Sequence, residues 1–124
     1  LHLACREGHP EVVNLLTDTI CNLSTDTPYL FLLPLDGYDR SPLYYAASGA
    51  AGVGFVGLRR RLTCFKDLVS AVVNLLCRLS EPLKTTLKRR LESSLIEAES
   101  LGITEFTNLV GVIRSELINT TNSG

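Results

Sequence analysis

Leu1-His2-Leu3-Ala4-Cys5-Arg6-Glu7-Gly8-His9-Pro10-Glu11-Val12-Val13-Asn14-Leu15-Leu16 divides at Gly8 into two helical segments. Residues 1–7 read as a short helix, and Gly8 ends it, because glycine enters the left-handed conformation after a helix without a Cβ penalty. Pro10 opens the second helix, where its missing N–H costs no intrahelical bond. Val12, Val13, Leu15, Leu16 and Ile20 supply an apolar face for that helix. The string Val-Val-Asn-Leu-Leu returns at Val72-Val73-Asn74-Leu75-Leu76. A chain that repeats a helix-pair signature is read first as a repeat scaffold.

A second opening comes at Asp36-Gly37-Tyr38-Asp39-Arg40-Ser41-Pro42-Leu43-Tyr44-Tyr45-Ala46-Ala47. Ser41 stands at an N-cap position and Pro42 at the first helical position, a pairing that starts helices. Asp39 takes a place that asks for the left-handed region, which Asp tolerates better than most residues.

These segments resemble ankyrin repeats. Leu1-His2-Leu3-Ala4-Cys5 followed by Gly8-His9-Pro10 matches that family's helix–turn–helix, and Ser41-Pro42-Leu43-Tyr44-Tyr45-Ala46-Ala47 is similar to its helix opening, with Ser in place of Thr and Tyr44 in place of His. The resemblance implies an all-α helical solenoid of stacked helix pairs with turn fingers on one side. It also implies an irregular array, because the spacing stretches. Leu43 lies 42 positions after Leu1 and Val72 lies 60 after Val12, against a usual period of about 33. The expected organisation is a truncated first unit at 1–20, a connector at 21–35 and a second unit at 36–80 with an insertion at 50–64. The turn, Thr and Pro that normally precede Leu-His are missing, and the chain lacks Met, so a fragment of a longer protein with further ankyrin repeats upstream is expected.

The remaining chain reads as helices without a family signature. Leu58, Leu62, Phe65, Val69, Val72, Leu76 and Leu79 alternate spacings of four and three, with Leu68, Val73 and Leu75 widening the stripe into that of a buried helix. Leu83, Leu87, Leu91, Leu95 and Ala98 form a further stripe that Gly102 stops. Thr104 is placed to cap a last helix, whose apolar face is Phe106, Leu109, Val110, Ile113 and Leu117. Residues 81–119 are thus expected to form a C-terminal antiparallel helical hairpin, with 120–124 as a frayed tail. The segment Tyr29 to Leu33, between Pro28 and Pro34, is expected to be a packed extended loop rather than a central strand.

Function is read from the resemblance and from what composition withholds. Ankyrin proteins bind other proteins through finger tips and the concave face of the first helices. By position this makes Arg6 and Glu7 concave-face candidates, Gly37, Tyr38 and Arg40 finger candidates, and Ser48 a candidate near the finger base; His2 is expected to bond near its turn. A net charge of −1 gives no global case for nucleic acid. No apolar run reaches the ~18 residues needed to span a bilayer.

The four cysteines lack zinc or C-x-x-C spacing and read as reduced, mostly buried thiols of an intracellular, cytoplasmic protein. Gly52-Val53-Gly54-Phe55-Val56-Gly57 matches a dinucleotide fingerprint but comes after a helix instead of a strand. No nucleophile–base arrangement stands out, so the expectation is a non-enzyme without cofactor or metal, whose partner is another protein. Arg59, Arg60 and Arg61 oppose the dipole at the start of their helix. They carry the alternative, a membrane-surface or regulatory domain working through the basic amphipathic helix at 58–79, although membrane contact is not the leading expectation.

Overall fold

The computed structural model describes residues 1–22 and 33–122, with side chains as far as Ile118. Among the described residues all regular structure is helical. The helices are α1 (His2–Glu7), α2 (Pro10–Cys21), α3 (Pro42–Gly49), α4 (Phe55–Leu76), α5 (Leu83–Glu99) and α6 (Thr104–Asn122). The extended segment expected between Pro28 and Pro34 lies outside the described residues up to position 32. At its end Leu33 is fully buried.

Local chemistry sets the helix ends. Gly8 has φ 74° and closes α1, and Pro10 sits in the first turn of α2. Asp39 has φ 59°, the left-handed geometry that its position in the turn requires. Ser41 has the extended backbone of an N-cap, but its side chain makes no cap bond; its buried Oγ has no hydrogen-bond partner among the described residues.

The long helix starts three residues before the expected Leu58. Gly54 adopts an extended N-cap conformation, and the Leu58 amide donates to its carbonyl at 2.9 Å. The helix also stops before Leu79, which packs on the core from the following turn. Gly102, at φ 74°, lies just beyond α5. Only Ile103 then separates it from α6, so Thr104 falls inside the first turn, and the Ile103 carbonyl takes the first helical bond, from the Thr107 amide at 3.0 Å.

The helices pack in two rows. In the inner row α1 lies along α3, and α3 along α5; in the outer row α2 lies along α4, and α4 touches α6 more lightly. The contact between α1 and α3 is the most extensive among the described helices. It is made possible by small buried residues, Ala4 and Cys5 on one side and Ala46 and Ala47 on the other. At Gly49 the approach is closest, and a Cβ there would meet the Arg6 carbonyl inside contact distance.

One apolar core runs through the six described helices. Between α4 and α6, Phe65 and Phe106 are both fully buried and meet edge to face with ring centroids 5.4 Å apart. Burying each such ring contributes roughly 1.5–3 kcal/mol, with about 0.5–1.5 kcal/mol more for the pairing.

Arginines complete the ends of several segments. Arg61 donates to the Arg6 carbonyl at 2.8 Å and to the Gly57 carbonyl at 3.0 Å. Arg78 donates to the Cys21 carbonyl at 3.0 Å, and Arg90 to the Leu33 carbonyl at 3.3 Å. The last carbonyls of a helix lack intrahelical donors, so Arg61 and Arg78 satisfy the ends of α1 and α2 from the neighbouring pair.

Two positions on α2 depart from the expected apolar face. Val13 and Thr17 are buried, whereas Leu15 is 66% and Val12 40% exposed. The helix meets α4 on one side only, and the stripe through Val12 and Leu15 faces away from it.

Candidate functional site

The turn before α3 is held by one carboxylate. Asp36 accepts hydrogen bonds from the Tyr38 amide at 2.9 Å, from the Arg40 amide at 3.1 Å and from the Tyr45 hydroxyl. Its own amide donates to the Arg40 carbonyl at 3.1 Å, closing a five-residue turn. The Tyr45 hydroxyl, with the two amides, holds the Asp36 carboxyl below the usual carboxylate range, and the same bond raises the Tyr45 phenol.

This turn is also tied to the preceding helix pair. His2 Nε2 donates to the Arg40 carbonyl at 3.0 Å, and its ring meets Tyr45 edge-on at 5.5 Å. The Arg40 guanidinium lies over the Tyr44 ring, 4.4 Å from its centroid. His2, expected to bond near its own turn, instead reaches from α1 to the turn before α3.

The candidate residues are distributed over this frame. Gly37 and Tyr38 form the exposed tip, with Tyr38 80% exposed. Arg40 lies at the foot of the turn, anchored through its backbone and over Tyr44. Arg6 and Glu7 are exposed at the end of α1, where they pair with each other at 3.1 Å. Arg6, His2 and Leu3 line a shallow cavity of about 280 Å³ together with Asp36 and Tyr45. Of the candidates, Arg6 borders this edge through the cavity, Glu7 adjoins Arg6, and Gly37, Tyr38 and Arg40 belong to the turn that Asp36 braces. Ser48 is half-buried, one turn beyond Tyr45, and its hydroxyl donates to the Tyr45 carbonyl at 3.4 Å. Asp36, Tyr44 and Tyr45 organise this edge, although the resemblance does not single them out. The available signal is an Asp three positions before a left-handed residue, a pattern of carboxylate-capped turns.

The basic triplet splits. Arg61 is engaged with the carbonyls of Arg6 and Gly57, while Arg59 and Arg60 remain exposed. Arg59 lies over the Phe55 ring at 5.5 Å. The glycines at 52, 54 and 57 span the turn after α3 and the first turn of α4. The apolar face of residues 58–79 lies largely in the core, with Cys64, Phe65, Leu68, Val72 and Leu75 all buried.

The thiols differ in their surroundings. Burial, reinforced by the nearby Cys64, pushes Cys5 up to about 12, and burial pushes Cys64 up to about 11. Cys77 is exposed. Among the described residues no group of three or more His, Cys, Asp or Glu could hold a metal ion, and no helix is long and apolar enough to cross a membrane.

Helix pairs stacked side by side, with a carboxylate-braced turn before α3, are consistent with an ankyrin-type helical fold. The ankyrin repeat family model matches residues 1–26, a span that contains the whole first helix pair. No curated protein and no solved structure matches the chain.

Proposed function

We propose that this chain is a non-catalytic protein-interaction segment of a larger intracellular, cytoplasmic scaffold or adaptor. Its partner would be another protein, met by the edge that carries Tyr38, Arg40, Gly37, Arg6 and Glu7. One observation carries this proposal. Tyr38 is 80% exposed on a turn whose backbone is held by Asp36 and by His2 of the neighbouring pair. An aromatic side chain presented on a rigid turn suits an interface anchor, because little ordering entropy remains to be lost on binding. Ser48, with its hydroxyl directed inward, lies at the margin of that edge.

The test is photocrosslinking. A benzoylphenylalanine at position 38 should yield discrete protein adducts in cells, and the same group at exposed Ser93 should not. Equal adducts at both positions, or none at either, would refute the assignment of this edge.

The N-terminal side is proposed to receive further ankyrin units. Val12 and Leu15 are exposed, whereas their counterparts in the repeated string, Val72 and Leu75, are buried in the second unit. The difference between the two units is a covering neighbour, since α2 lies along α4 and none of the described helices lies along the other side of α2. Residues 81–119 are likewise proposed to be the third layer of the stack. That proposal rests on α5 lying along α3 and on α6 touching α4.

A further inference from the structure

Arg59 and Phe55 lie on the outer row and are used neither by the core nor by the finger edge. Between the first turns of α4 and α6 is an open groove of about 470 Å³. Its floor is apolar, made by Leu58, Leu62 and Leu109, and Phe55 forms a lip that is 72% exposed. Arg59 and Lys66 stand on the α4 side, flanking the floor residues. Neither is paired with a carboxylate among the described residues. Glu105 on the α6 side is the single acidic group in the lining.

The groove continues along the same two helices. A second hollow of about 280 Å³ shares Lys66 and Leu109 with the first and is lined further on by Val112, which is 56% exposed, and by Glu116. The reason for the opening is that α4 and α6 touch only lightly. Between the same two helices the rings of Phe65 and Phe106 meet edge to face.

We propose that this groove docks an acidic segment of a partner protein, with leucine-type side chains seated on the apolar floor and carboxylates facing Arg59 and Lys66. Charge complementarity argues for the acidic character in the first hollow, where Arg59 and Lys66 outnumber Glu105 and the positive start of α4 lies on the Arg59 side. Shape argues for a peptide over a lipid surface. The apolar groups line a concavity between two helices, which is the geometry that receives an amphipathic peptide, whereas interfacial membrane binding uses the protruding apolar face of a helix. This site is separate from the finger edge and does not depend on it.

Fluorescence anisotropy of the full chain with a labelled peptide tests this. The probe is an amphipathic peptide of leucines at helical spacing with glutamates between them. Its expected Kd is on the order of 10–100 μM at low salt. Reversing both cations, with Arg59→Glu and Lys66→Glu, should weaken binding about tenfold or more. Phe55→Asp should do so independently, and Tyr38→Ala should leave it unchanged. All these side chains are exposed, and circular dichroism checks that each variant is folded. The proposal is overturned by absence of peptide binding, or by binding that survives both the charge reversal and Phe55→Asp. Co-sedimentation with phosphatidylserine vesicles without peptide binding would overturn it in favour of a membrane contact.

Discussion

Gly49 and Gly111 show how the same residue serves opposite ends in this chain. At Gly49 the absence of a side chain lets the Arg6 carbonyl sit against α3, and a Cβ would collide with backbone that cannot move alone. Gly49→Ala should destabilise the fold by about 1–3 kcal/mol, as overpacking does. Gly111 lies within α6, exposed, with nothing near its missing Cβ. Gly111→Ala should therefore stabilise by about 0.5–1 kcal/mol, because alanine loses less backbone entropy in a helix. Urea unfolding midpoints of the two variants should move in opposite directions.

Asp36 carries a second residue-scale prediction. Its folded-state carboxyl is held below the ordinary value, first by Tyr45 and then by the Arg40 and Tyr38 amides. The stability it contributes is thus present above the unfolded-state value of about 3.9 and is lost as pH falls through the lower folded-state value. Asp36→Asn should be less stable than the parent at neutral pH. The gap should close as pH is lowered through that window, which urea titrations at stepped pH will show.

At the scale of elements, the first helix pair is the most legible in the sequence. Gly8, Pro10 and the apolar spacing after them are local signals, and local signals set helix ends. The finger is legible in outline, since Asp39 and Pro42 report backbone geometry directly. Its bracing is not, because the bonds from His2 to Arg40 and from Tyr45 to Asp36 join residues from different elements. The faces of α2 escape a sequence reading for a related reason. Periodicity says which residues share a stripe, but not whether a neighbour covers it, so Val12 and Leu15 look inward in the pattern although they are exposed. Similarly, the arginine triplet looks like a single patch, and only the approach of the Arg6 carbonyl separates Arg61 from the others.

The pairing of α4 with α6 makes a third prediction. Each helix shows its stripe in sequence, but that Phe65 meets Phe106 is a long-range fact. Phe65→Leu and Phe106→Leu should be non-additive, with a coupling of about 0.5–1.5 kcal/mol from the edge-to-face contact. A coupling near zero in the double-mutant cycle would mean that the rings merely fill volume.

At the scale of the whole molecule the question is how many layers the fold needs. Repeat stacks gain stability from interfaces between neighbours, and two units bury too little to stand alone. In this chain α5 and α6 supply Leu87, Leu91, Leu95, Phe106, Val110 and Ile113 to the same core that holds Leu43, Phe65 and Val69. Removing them would uncover α3 along its contact with α5 and expose Phe65 on α4. The Glu99–Arg114 pair at 2.9 Å links α5 to α6 and adds little, as surface ion pairs do; these two helices meet the rest of the molecule through the buried apolar residues of the shared core. A chain ended after Ser80 should accordingly lose its cooperative unfolding transition while keeping partial helicity by circular dichroism. Mixing it with a separate 81–124 peptide should restore the transition if the two parts recognise each other through this interface. A sharp transition in the 1–80 piece by itself would instead mean that the helix pairs at 1–22 and 42–76 form a complete folding unit, with the C-terminal hairpin an appended domain.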